Sequence, residues 1–181
     1  MSTKMIPTEM STQIQATVLE YFAGERQEML LILGGSLLVT ILALWLWITT
    51  RTGFAAAFAI TVIASSVLFS ATAVSLLVRD KSLSNALVKA AGQEIQATTL
   101  AAERERINVV LSKYPYYRYA AAGIALVALL GLMLSSHGWI HGVAAGLFIL
   151  VLAQVLIDHY SERRAASYLK GLTPASSVQG L

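Results

Sequence analysis

Cysteine is absent from the 181 residues, which excludes a disulfide framework, a thiolate metal site and a thiol nucleophile. Charge is scarce. Asp, Glu, Lys and Arg make up 13% of the chain, against about 25% in a soluble domain. With 56% hydrophobic residues and a mean hydropathy of +0.67, too little polar surface remains for an ordinary soluble enzyme. Disorder, collagen and coiled-coil rods are excluded on the same composition. Recognisable catalytic patterns are missing too. There is no nucleophile elbow, no phosphate-cradling glycine loop and no HExxH. Asp158 and His159 are the sole adjacent acid–histidine pair, and consecutive helix positions do not face a common substrate. The expectation is a protein that is not an enzyme and takes no cofactor or metal.

What the chain does contain is four long apolar runs, over 29–48, 54–78, 117–136 and 139–157. Spanning a bilayer takes about 20 such residues in a helix. Lipid offers the backbone no hydrogen-bond partner, so each run must be helical. The expected fold is all-α: an integral membrane four-helix bundle with a cytoplasmic helical segment between spans 2 and 3. The corresponding plan is a mobile N-terminus over 1–12, an amphipathic helix plus spans 1 and 2 over 13–78, and a helical linker over 79–116. Spans 3 and 4 with a following helix occupy 117–172, and 173–181 form a mobile tail. The first run opens only at Met29, after Glu20, Glu25 and Glu28, which does not read as a signal peptide.

The basic residues are unevenly placed. Arg51 lies in the turn between runs one and two, and the other twelve of the 13 fall on the opposite side of a four-span chain. The positive-inside rule then puts both termini and the central segment in the cytoplasm. Topology thus accounts for the net charge of +3, and no nucleic-acid partner is expected. Tyr114, Tyr116, Tyr117 and Tyr119 before span 3, with Trp45, Trp47 and Trp139 near the outer ends, suit aromatic belts.

No Asp, Glu, Lys or Arg sits mid-span. Intramembrane ionisable groups mark proton relays and ion pathways, so their absence counts against an ion-coupled transporter. In span 2, Thr61, Ser65, Thr72 and Ser75 share one stripe, readable as close helix packing or as a pore lining. In span 4, Gly138, Gly142 and Gly146 recur every four residues. This face can seat span 3 through Ala121, Ala125 and Ala128, or a second subunit. His137 and His141 are four apart but lack further ligands for a zinc site, and read as interfacial polar residues.

Outside the spans, Ile14, Val18, Leu19 and Phe22 recur at helical spacing, an amphipathic helix feeding span 1. Beyond span 4, Tyr160, Ala165, Tyr168 and Leu169 continue a helical pattern. Both flanks emerge on one side, so Glu25 and Glu28 can meet Arg163 and Arg164 as a clamp or form a partner surface. One unbroken helix over 80–113 would run about 50 Å and could not return to span 3. A break is therefore expected near Gly92 or near residues 98–102. The run from Glu103 to Arg106 reads as a charged helix face.

Glu20 to Met29 (EYFAGERQEM), Tyr114 to Tyr119 (YPYYRY) and Ser161 to Leu169 (SERRAASYL) carry a resemblance over roughly residues 16–170. The chain resembles a group of small bacterial four-span inner-membrane proteins with no known activity, which implies topology and a bacterial inner membrane only. Two functions follow as expectations. One is a non-enzymatic interaction, accessory or immunity-type membrane component with a membrane or cytosolic protein partner. The other is a homo-oligomeric channel or transport subunit lined by the span 2 hydroxyl stripe. The bilayer is a partner in either.

Overall fold

The computed structural model describes the backbone of residues 8–92 and 97–172, and the side chains of 12–87 and 98–172. Among the described residues the chain is entirely helix and short connections: α1 (Thr8–Thr50), α2 (Gly53–Gly92), α3 (Ala97–Leu111), α4 (Tyr114–Leu134) and α5 (Gly138–Gly171). Four of these are long and apolar enough to cross a membrane, so the protein is an all-α, multi-pass membrane protein. α1 has 43 residues, α2 has 40 and α5 has 34. At 1.5 Å per residue each exceeds the roughly 30 Å hydrocarbon core, and the polar ends of these helices therefore lie outside it.

The helix ends follow from local chemistry. α1 stops where Arg51 takes a positive φ of 50° while its N–H donates to the Trp47 carbonyl at 2.9 Å, a left-handed C-terminal cap. The Thr52 hydroxyl then accepts from the Ala55 N–H at 3.2 Å, an N-cap for α2. Between α4 and α5 the connection is three residues, Ser135 to His137. His141 closes it, its Nε2 donating to the Ser135 carbonyl at 2.7 Å, so this imidazole is engaged in the turn. α2 reaches Gly92 and α3 begins at Ala97; residues 98–102 are helical, so no break falls there, and the segment just after Gly92, residues 93–96, lies outside the described residues. α1 opens at Thr8, within the segment expected to be mobile. The rest of that segment, the tail 173–181 and Ile95 lie outside the described residues.

The chain divides into two compact units. One comprises Met1–Gln27, Leu77–Tyr114 and Tyr160–Leu181, the other Glu28–Leu76 and Pro115–His159. The second, the apolar unit, contains three of the apolar runs whole and the run 54–78 as far as Leu76. Within it α1 meets α2 through Ala43, Ala59 and Val62, with Val39 and Phe58 beside them. Its core is thin because its outer residues face lipid: Leu31, Leu38, Val67, Val127, Leu134 and Leu152 are all strongly exposed. The first unit, the polar unit, has a core of larger side chains. Ile14, Val18, Tyr21 and Phe22 from α1 pack with Leu100 and Ile107 from α3, with Ala165 and Tyr168 from α5 and with Leu172 just after it, flanked by Leu83 and Leu87 of α2. The apolar positions expected on the first flank thus turn inward, except Leu19, which is exposed.

Candidate functional site

The most organised polar chemistry lies in the polar unit, outside the apolar runs. Positions 14, 18, 21 and 22 of α1, and 165 and 168 of α5 with 172 just beyond it, recur at three- and four-residue spacing, which aligns each set on one face. The Tyr21 ring stacks on Tyr168 with centroids 4.1 Å apart and 13° between planes. The Tyr168 hydroxyl donates to Glu103 Oε1 at 3.1 Å. Arg106 donates to both oxygens of the same carboxylate, at 2.8 and 2.7 Å. Glu103 is 5% exposed, and these charge-assisted bonds offset its desolvation. Burial first, then Glu103, raise the Tyr168 phenol above its ordinary value, which keeps the hydroxyl a donor. Arg104 reaches the carbonyl of Leu172 through Nε at 2.9 Å and also through Nη2, placing a cation on the C-terminal end of α5, where the helix dipole favours it.

A second group surrounds Glu25. Its Oε1 lies 3.9 Å from Arg164 Nη1, and the Arg164 side chain crosses α1 at Gly24, where an added Cβ would stand 3.0 Å from Arg164 Cδ. Asp80, also buried, is held by Arg79 at 2.7 Å. Burial raises the Glu25 carboxyl above the ordinary glutamate range; Arg164 opposes this, Asp80 adds to it, and Tyr21 and Arg79 lower it. Glu25 therefore holds its proton to higher pH in the folded than in the unfolded chain. Its contribution to stability is complete below the ordinary value of 4.5 and is lost as pH rises through the raised folded value. Glu25→Gln, neutral throughout, is expected to remove that decline and to be more stable than wild type at neutral pH. Urea unfolding in detergent across pH checks this; parallel profiles for the two proteins contradict it.

Of the residues expected to form a clamp, Glu25 and Arg164 come together. Arg163 is exposed, and Glu28 belongs to the apolar unit, half-buried. The run from Glu103 to Arg106 is not a solvated face, since Glu103 and Arg106 point inward and Arg104 holds α5, leaving Glu105 exposed. Tyr114 likewise is buried in the polar unit rather than part of a belt, whereas Tyr116, Tyr117 and Tyr119 are exposed. No family model, curated protein or solved structure matches this chain. The arrangement is therefore read from its own geometry, and the likeness to the four-span group rests on the quoted motifs alone.

In the apolar unit the hydroxyl stripe is spent locally. Thr61 Oγ1 donates to Ala57 O at 2.9 Å, Ser65 Oγ to Thr61 O at 2.8 Å and Thr72 Oγ1 to Leu68 O at 3.0 Å. Such i−4 bonds satisfy a hydroxyl without water. Thr61 and Ser65 are half-buried, while Thr72 and Ser75 are exposed. The hydroxyl that crosses between helices is Ser66, which donates to the Ser36 carbonyl at 3.3 Å. Gly142 and Gly146 seat α2, not span 3: an added Cβ would meet the backbone of Phe54 and Phe58 at Gly142, and Thr61 Cβ at 2.8 Å at Gly146. At Gly138 it would meet nothing. α4 meets α5 at Gly131, whose added Cβ would lie 3.4 Å from Ile140 Cγ2. The sequence pattern leaves Tyr21 unmarked, and it places Tyr168 on a helical flank and Glu103 on a charged face without joining them. The signal was available as pairs on one helix face, Tyr21 with Glu25, Arg164 with Tyr168, and Glu103 with Arg106.

Proposed function

We propose that the protein is a non-enzymatic interaction, accessory or immunity-type component of a bacterial inner membrane, with its polar unit and both termini on the cytoplasmic side. The observation that carries this reading is the use made of the ionisable groups. Glu103, Arg106, Tyr168, Glu25 and Arg164 are engaged with one another across α1, α3 and α5. That engagement builds a rigid helical module, the form suited to presenting a surface to another protein. Twelve of 13 basic residues on one side of the spans support the orientation. Leu19, Tyr160 and Arg163 are exposed on the polar unit and are the first positions to probe. Photo-crosslinkers at Leu19 and Arg163 in native membranes are expected to capture one partner protein at a fixed stoichiometry. Tyr168→Ala, which disrupts the module, is expected to abolish that capture. Recovery of this chain alone would overturn the reading. The channel reading has less support, because Thr61, Ser65 and Thr72 of the stripe donate to their own helix. It calls for current across bilayers containing the purified protein, reduced by Ser65→Leu.

A further inference from the structure

We propose that the stripe Tyr160, Arg163, Ser167 and Lys170 on α5 docks an acidic helix of a partner protein, one with two carboxylates about two turns apart. This rests on the interaction reading above and adds the chemistry of the partner. The first observation is where the polar unit puts its charge. Among the described residues its buried charged side chains, Glu25, Asp80 and Glu103, are all carboxylates. Its exposed acids are Glu20 and Glu105, against the exposed cations Arg26, Arg79, Lys81, Lys113, Arg163 and Lys170. Acids turned inward leave a basic exterior, which draws in an acidic partner.

The second is alignment. All four stripe residues are exposed. At about 100° per residue, Arg163 and Lys170 lie about 20° apart, and Tyr160 brings the full width to about 80°. Among the described residues neither Glu20 nor Glu105 forms an ion pair with Arg163 or Lys170. Tyr160 is engaged within the chain and is still 62% exposed. Glu162 is also engaged and falls about 120° from the centre of the stripe. The spacing then selects the occupant. Arg163 and Lys170 are about 10 Å apart along the axis, the rise between positions i and i+7 of a facing helix. Ser167 between them is small and lets a helix approach, and the Tyr160 ring offers an apolar surface at one end. A second copy does not fit, because a two-fold pairing sets the basic stripe against itself. A flat bilayer does not fit either. α5 is one helix from Gly138 to Gly171, so the stripe follows for about 15 Å the axis of a helix that leaves the membrane. Nor does a segment of this chain outside the described side chains, since 1–11 and 88–97 carry only Glu9 and Glu94 and 173–181 carry no Asp or Glu.

The test uses the full-length protein in native membranes, with photoreactive p-benzoylphenylalanine in place of Tyr160, which keeps an aromatic ring there. Mass spectrometry of the crosslinked peptides reads what the ring touches. The expected result is one protein, captured through a segment with two Asp or Glu residues seven positions apart. Arg163→Glu/Lys170→Glu is expected to lower that capture at least about tenfold, since like charges then face each other. Changing the two acids of the captured segment to lysine is expected to restore it. Arg163→Lys/Lys170→Arg is expected to retain capture. Arg26→Glu/Lys113→Glu, the same change in net charge at exposed positions elsewhere, is expected to leave it unchanged. Unchanged helicity and elution of each variant show that the comparison is made on folded protein. Adducts with phospholipid alone, a dimer of this chain, or capture through a segment without paired acids overturns the proposal. So does an equal loss in Arg26→Glu/Lys113→Glu, which would trace capture to net charge. If the crosslinker at Leu19 captures its partner undiminished in Arg163→Glu/Lys170→Glu, the stripe fails and the functional reading stands. If neither position captures a protein, both fail.

Discussion

Tyr168→Ala is expected to destabilise the polar unit by about 3–5 kcal/mol, the cost of truncating a buried aromatic side chain. Tyr168 is 2% exposed, and three losses coincide there. The ring leaves a void beside Ile107 and Leu172, its stack on Tyr21 disappears, and Glu103 loses a donor. Tyr168→Phe separates these effects. It keeps the ring and the stack, so it is expected to cost only about 1 kcal/mol for the lost hydrogen bond. Glu103→Gln keeps the shape but weakens the Arg106 fork. Its expected cost is up to about 3 kcal/mol, since Arg106 is a quarter exposed and retains some hydration. The double variant Tyr168→Phe/Glu103→Gln is expected to fall short of the sum of the two, because both act on one carboxylate. Hydrogen exchange over 14–25, 98–111 and 160–172 is the appropriate readout. Unchanged exchange in all three segments of Tyr168→Ala would show that the network does not hold the unit together.

The parts of this protein legible from sequence are those that lipid enforces. Residues 29–48 have one option in a bilayer, because a backbone without water must bond to itself, and the same argument covers the other three runs. The all-α, multi-pass architecture follows from that constraint alone. The networks of the polar unit obey a different logic. Tyr21, Glu103 and Tyr168 are far apart in the chain, and each alone is compatible with an exposed helix face. Only the meeting of α1, α3 and α5 converts them into a buried stack with a satisfied carboxylate. The alternating charges of Glu103 to Arg106 misled for this reason, since alternation describes a solvated face until Glu103 is seen to bond Arg106 and Tyr168. Glu25 with Arg164 was within reach because both flanks leave the spans on one side. The helix lengths were less accessible. α1 and α2 continue through their span ends without a breaker, and neither hydropathy nor charge marks the point where a helix simply carries on.

Gly142→Ala is expected to force α2 and α5 apart, and the argument turns on what the new methyl would meet. At Gly142 it collides with the carbonyl oxygen of Phe54 and lies 3.0 Å from the Phe54 carbon and the Phe58 nitrogen. These are backbone atoms of a membrane helix, whose hydrogen bonds cannot be rearranged cheaply in lipid. At Gly24, by contrast, an added methyl meets the flexible Arg164 side chain, which can step aside. Overpacking of this kind costs about 1–3 kcal/mol, and Gly142→Leu is expected to exceed that range. Gly34→Ala and Gly123→Ala supply the opposite sign. Neither added methyl meets anything, so each should gain up to about 1 kcal/mol from helix propensity. Refolding from SDS measures the three stabilities. Because the chain has no cysteine, spin labels at Val67→Cys and Ile149→Cys, both exposed positions, report the separation of α2 and α5 without background. A longer, broader distance distribution in Gly142→Ala, with Gly123→Ala unchanged, is the expected result. Identical distributions and an equal gain in stability for all three alanine variants would mean that Gly142 does not set the contact between these helices.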